Sequence, residues 1–302
     1  MAAQEQAGRE LAGRLGPLGV WSMGLRSADR PEAQDAAAEL DELGLRTLWI
    51  PGLDGRGALD DAGHLLRAAP HSTVTLGVLG IWGTPAGEVA REVARLDGLH
   101  GPRTVVGLGI SDPRSARSHG QRFGSPVDSM TRYLDDLDAA PAPVPAERRL
   151  LGALGPRMAA LGAARTAGTH PFLVPPRYTA DLRATLGPDP LVAPHQAVVL
   201  DTDPDRARAT ARAGVGMFVG LPAYRNNLRR LGFGDDDLVP GGSDRLVDSL
   251  VAWGDLDAIR ERLREHLDAG ADHVAVHVLG SADLPMPAWR ELATLAPSLA
   301  DA

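Results

Sequence analysis

From Leu18 onward, short apolar runs alternate with stretches whose apolar positions recur every three or four residues. The runs predict strands at Leu18–Ser22, Thr47–Ile50, Thr73–Ile81, Arg103–Ile110, Arg149–Leu154, Pro171–Val174, Ala193–Leu200 and His273–Val278. Between them, 3.6-residue periodicity predicts helices. The clearest is Pro31–Leu43, with Ala33, Ala36, Ala37, Leu40 and Leu43 on one face, Pro31 at its start and Gly44 beyond its end. Others are predicted at Leu59–Ala69, Glu88–Leu99, Val127–Leu137, Arg157–Ala167, Thr179–Leu186, Pro204–Ala213, Ser243–Trp253, Asp255–Ala269 and Pro287–Leu299. Runs such as VVGLGI and AVVL are apolar at every position instead of alternating, as a parallel sheet covered by helices requires.

Roughly eight strand–helix units is the number that closes a barrel. An open doubly wound sheet gives the same local alternation, but no break in composition separates two domains, so the expected fold is a (β/α)8 TIM barrel of the α/β class. Residues 1–15 are polar and read as a lead-in; residues 16–302 read as one domain. A stretch at about 214–242 is too long for a connecting loop and is expected as an insertion at the barrel rim before the last strand.

Composition removes chemistries. There is no cysteine, hence no disulfide, thiolate nucleophile or cysteine-held metal. Lysine is absent too, so a Schiff-base or Walker-type lysine is excluded. A net charge of −8 speaks against a general nucleic-acid binder and leaves a small molecule as the expected partner. No long apolar run or apolar leader stands in the chain, so a cytoplasmic protein without a membrane span is expected.

Gly107-Leu108-Gly109-Ile110-Ser111-Asp112 follows a strand as a dinucleotide fingerprint does, but Asp112 stands where the third glycine belongs. The glycines read as close backbone approach, either to neighbouring strands or to a flat ring at the barrel mouth. Asp112 reads as a helix cap or as a proton donor. Gly77, Gly80 and Gly83 in an otherwise buried run suggest a bulge, a close approach by something flat, or simply tight packing. Gly155-Pro156-Arg157 opens a helix, which suits a phosphate, or is an ordinary Pro start with an exposed arginine. His273 and His277 share one face of a strand without the partners of a metal site, and His119, His170 and His195 are isolated. No metal centre is expected.

The succession LGVWS, TLWIP, VTLGVLGIW, GPRTVVGLGIS, GALGPRM, HPFLVPP and LPAYRNNLRRLGF resembles the luciferase-like monooxygenase superfamily. More narrowly it is similar to its branch of probable F420-dependent oxidoreductases, over roughly residues 16–280. The resemblance implies a luciferase-like barrel that transfers a hydride between the deazaflavin coenzyme F420 and a small organic substrate, often as a homodimer. It implies a non-prolyl cis peptide bulge at Gly77-Val78, with Leu79 and Gly80 beside it, backing the ring. Gly107, Gly109 and Ser111 would lie along the ring, Asp112 near its N1 side as the catalytic acid, and Gly155, Pro156 and Arg157 at the phosphate. Trp21, Trp49 and Trp82 would sit near the mouth against substrate. Departures exist. Many relatives end strand two with Asp-His, where this chain reads Pro51-Gly52-Leu53; closer relatives carry histidine where Asp112 stands; and Trp82–Gly87 lacks a basic residue common in the superfamily. An FMN-dependent monooxygenase and a non-catalytic ligand-binding barrel therefore stand as alternatives.

Overall fold

The computed structural model describes residues 2–280 and 282–300. Ten strands form one sheet: β1 Leu18–Trp21, β2 Thr47–Ile50, β3 Thr73–Gly80, β4 Thr104–Gly109, β5 Arg149–Leu151, β6 Gly168–Thr169, β7 Leu191–Val192, β8 His195–Val199, β9 Val251–Trp253 and β10 Val274–Val278. Their order is β7-β6-β5-β4-β3-β2-β1-β10-β8-β9, and every pairing is parallel. The sheet curls. β7 runs into β8 through Ala193 and Pro194, and the stretch is bonded on both sides. Ala193 N–H donates to Thr169 O (3.0 Å) and His195 N–H to Pro171 O (2.9 Å), while Ala275 N–H donates to Pro194 O (2.9 Å).

Several elements differ from the expectation, each for a local reason. Pro194 has no N–H for the ladder, so the run predicted as Ala193–Leu200 starts its regular strand only at His195. The strand predicted at Pro171–Val174 lies instead at Gly168–Thr169; Pro171 ends it and Leu173 takes a positive φ of 56°. The helix predicted at Ser243–Trp253 stops at Leu250, because Val251–Trp253 pairs with β8 as a strand. The helix Pro204–Val219 absorbs the start of the expected insertion, and Pro222–Arg230 forms its second helix.

Both sheet faces are buried. Val20, Leu48, Ile50, Val106 and Leu108 pack outward against the helices, while Trp21, Trp49, Val105, Leu150, Ala193 and Ala275 cluster inside the curl. The lead-in is the floor of that inner space. Ala2–Leu15 is a helix whose Leu11 and Leu15 join the inner cluster. Leu15 O accepts from Thr47 Oγ1 (2.7 Å). Gly8 permits the approach, since a Cβ there would fall 2.2 Å from Asp189 O. Among the described residues no helix is long and apolar enough to cross a membrane.

Candidate functional site

The inner space is filled by rings whose polar atoms fix one another. Trp49 is fully buried and donates Nε1–H to His273 Nε2 (2.9 Å), and His273 donates Nδ1–H to Gly16 O (2.6 Å). His170 stacks on Trp49 with ring centroids 4.2 Å apart and donates Nδ1–H to Ala193 O (2.7 Å). A carbonyl can only accept, so these partners assign both tautomers. Burial pushes His170 and His273 down to about 4. Above this layer Trp21 donates Nε1–H to Gly77 O (3.0 Å) and packs on Phe172 and His277. Trp49 therefore lies below the mouth, too deep to meet substrate as the resemblance implied. Trp21, 5 % exposed, is the roof of the packed layer.

At the strand tips the β3–β4 register shifts between Leu76 and Leu79, and the Gly77–Val78 peptide is cis. Gly77 faces inward, where a Cβ would meet Trp49, His170 and Trp21 at 2.9, 3.2 and 3.2 Å. Val78 turns to the same side as a bulge residue and is half-buried. Its methyl groups fill the hollow left by three glycines: a Cβ on Gly107 would lie 3.0 Å from Cγ1, one on Gly109 2.5 Å from Cγ2, and one on Gly152 3.3 Å from each. The glycine tips are thus not a bare shelf. They are a socket for one valine, whose outer face is the platform at the mouth. Leu79 points into the outer core, and Gly80 N–H pairs with Leu53 O (2.8 Å).

The remaining expected residues fall around this platform. Ser111 is exposed with a positive φ of 53°, and Asp112 caps the helix Pro113–Ser118, Oδ1 accepting from Arg114 N (2.8 Å) and Ser115 N (2.9 Å). The cap reading of Asp112 is the one the geometry favours. Trp82 is buried, donating Nε1–H to Ile110 O (2.5 Å) and packing on Phe123. Beside it opens a groove of about 490 Å³ that includes Arg117, Arg122 and Phe123. Beyond β5, Gly155 is the cap and Pro156 the first residue of the helix Pro156–Arg165; a Cβ on Gly155 would meet nothing within 4 Å. Arg157 is exposed and has no ion pair among the described residues. At the end of β2 the backbone of Gly52 presses on β3, where a Cβ on Gly52 would lie 2.4 Å from Leu79 Cα. The next residue, Leu53, is exposed.

The insertion reaches over the tips of β5 and β6. Phe218 packs on Phe172 (5.3 Å) and Tyr224 (5.1 Å), and Arg230 donates to Leu154 O (2.8 Å). Two groups escaped the sequence reading. His195 and His277, from strands far apart in the chain, meet with Nε2 and Nδ1 3.1 Å apart. His170, His195 and His273 are buried together, although no spacing in the sequence relates them. Among the described residues no group of three histidines or carboxylates could hold a metal.

No family model matches the sequence, and no curated protein matches it. Solved structures do resemble it. An F420-dependent secondary alcohol dehydrogenase in complex with an F420-acetone adduct is 12% identical and superposes with a TM-score of 0.74 over 94% of this chain and 99% of that one. Coenzyme F420-dependent tetrahydromethanopterin reductase from Methanopyrus kandleri is 16% identical, with a TM-score of 0.72 over 92% and 97%. The oxygenating constituent of 3,6-diketocamphane monooxygenase from Pseudomonas putida, a type II Baeyer-Villiger monooxygenase in complex with FMN, is 14% identical, with a TM-score of 0.63 over 95% and 98%. The chain shares the fold of these enzymes along nearly its whole length.

Proposed function

We propose that this chain is an eight-unit luciferase-like barrel with an insertion over its mouth, and that it is an F420-dependent oxidoreductase acting on a small organic molecule. The observation that carries the reading is the Val78 platform: one half-buried aliphatic face, set in a socket of Gly107, Gly109 and Gly152, at the strand tips where barrels of this kind do chemistry. Such a surface fits the apolar face of a flat ring. Two of the neighbours described above are F420-dependent, and the sequence runs GALGPRM and LPAYRNNLRRLGF resemble the same branch.

The bound deazaflavin would supply two-electron hydride chemistry. The residues of the chain bind, orient and exclude water. Val78 would back the ring, while Gly107 and Gly109 keep backbone rather than side chains beside it. The start of the helix Pro156–Arg165 offers N–H groups and the positive end of its dipole to a phosphate, with Arg157 free to add a charge-assisted bond. Phe172, Phe218 and Tyr224 make the wall under the insertion apolar. Asp112, engaged as a cap, is left out of the chemistry.

Titration with F420 and, separately, FMN, followed by tryptophan quenching, tests the reading. F420 is expected to bind at micromolar concentration and more tightly than FMN. Arg157→Ala should weaken binding about tenfold, the worth of one charge-assisted bond. Tighter binding of FMN would transfer the chain to the monooxygenase reading, and binding of neither would remove the redox function. A second expectation concerns Asp112. Asn caps a helix as well as Asp does, so Asp112→Asn should leave melting temperature and turnover within about twofold. A loss of turnover with unchanged melting would return Asp112 to the chemistry.

A further inference from the structure

The histidine pair at the mouth has an internal logic that assigns it a task. His195 is fully buried, stacked on Phe172 with centroids 3.7 Å apart and edge-on to Trp21 at 5.4 Å. Its Nδ1 is sealed from solvent and has no hydrogen-bond partner. A proton there would leave a buried donor unsatisfied, which costs more than a bare ring nitrogen in the same apolar surroundings. The proton of neutral His195 therefore sits on Nε2, which faces His277 Nδ1 at 3.1 Å. His277 Nδ1 must then accept, and the proton of His277 is driven onto its own Nε2.

That nitrogen is placed differently from the others. His277 lies near the end of β10 toward the mouth and is half-buried. Its Nε2 has no hydrogen-bond partner among the described residues and is not among the sealed, unpartnered atoms, so it meets solvent at this end of the strand. Trp21 packs on the ring at 4.5 Å and holds its plane. Phe172 and Phe218 supply the apolar walls nearby. Burial lowers both histidines, His277 to about 4, so near neutral pH the pair carries no charge.

We propose that His277 Nε2–H is a fixed, uncharged hydrogen-bond donor for substrate at the mouth, and that His195 is the positioning residue that sets its tautomer. The pair does not carry protons inward, because the line ends at His195 Nδ1 among aromatic rings. What it recognises is an acceptor oxygen on an uncharged, apolar-bodied molecule, a ketone or ester before a carboxylate. This deepens the oxidoreductase reading by naming a substrate class, and it rests on that reading only for turnover.

The test uses the full chain with histidine rings labelled with 15N, and acetophenone as probe with ethylbenzene as its oxygen-free counterpart. At pH about 7.5, well above the ordinary histidine range, His277 is expected as a single Nε2–H tautomer. Acetophenone should move its ring signals; ethylbenzene should not. His277→Phe should bind acetophenone about five- to tenfold more weakly and ethylbenzene equally, the worth of one neutral hydrogen bond. His195→Leu removes the donor and should give His277 as a mixture of tautomers. His195→Gln places an amide N–H near the lost Nε2 and should restore the single tautomer; it also serves where the leucine variant fails to fold. An Nδ1–H tautomer at His277 in the unchanged protein, or equal acetophenone binding by His277→Phe, would overturn the proposal. Neither readout needs F420, so failure of the chain to bind F420 would leave this proposal standing and remove only the redox function.

Discussion

Acidification from about pH 7 to about pH 5 is expected to remove a large part of this protein's stability, chiefly through its buried histidines. His170 and His273 are held at about 4 and His266 at about 3, in each case chiefly because burial disfavours the charged ring. In the unfolded chain each returns to about 6.5. Between these values the unfolded state binds more protons than the folded one, so stability falls as pH falls through 6.5 and goes on falling until the folded values are reached. Each histidine contributes about 1.4 kcal/mol per pH unit, and three together about 4 kcal/mol per unit. A drop from about 6.5 to about 5 thus removes about 6 kcal/mol, against a total of about 5–15 kcal/mol for an ordinary domain. His195 and His277 act in the same direction. His100, also lowered chiefly by burial, adds to them, while Asp272, raised by burial, acts in the opposite direction, a single group against six. Urea unfolding across this range should show the midpoint collapsing. His266 is held by Thr179 Oγ1 (2.9 Å) and Gln196 Oε1 (2.9 Å), so His266→Gln, which can keep part of that network, should reduce the steepness by about one proton. A midpoint that stays level down to about pH 5 would mean that the rings are hydrated in solution.

The strands were legible because a sheet buried on both faces needs apolar residues at every position, and few other arrangements do. The role of the first fifteen residues was not. Their described buried hydrophobic side chains, Ala7, Leu11 and Leu15, are only one residue per turn, and what they cover is visible only once the sheet has curled. The capping role of Asp112 was readable as one of two alternatives, since Asp-Pro ahead of a helix is a local signal. The histidine pair is non-local: His195 and His277 share neither spacing nor motif, and only the β8–β10 register, which sets Ala275 opposite His195 and His277 opposite Ala197, brings them level. The glycines of β3, β4 and the loop after β5 announced that something approaches closely. They could not say that the object is Val78, because a bulge inverts the side to which every later residue points.

That socket gives the second large effect. Alanine scanned through the glycines at the mouth should yield a graded series set by what each new methyl meets. At Gly107 it would fall 2.1 Å from Leu76 O, a backbone atom held in the β3–β4 ladder, and cannot be accommodated by a rotamer change. Gly107→Ala should cost about 3 kcal/mol or prevent folding. At Gly109 the methyl would meet Val78 Cγ2 at 2.5 Å, a side chain, with Val78 Cβ next at 3.5 Å. Gly109→Ala should cost about 1–2 kcal/mol by pushing Val78 outward, and should weaken F420 binding because the platform itself moves. Gly155→Ala, which meets nothing, should cost under about 0.5 kcal/mol. The decisive comparison is the double variant. Val78→Ala removes the obstructing methyls, so Gly109→Ala introduced into Val78→Ala should cost almost nothing further, whereas Gly107→Ala should keep most of its cost in either background because its nearest obstacle, Leu76 O, is backbone. If denaturant unfolding shows strict additivity of Gly109→Ala with Val78→Ala, then Val78 does not sit in the glycine socket, and a ring bound at this mouth would rest on some other surface.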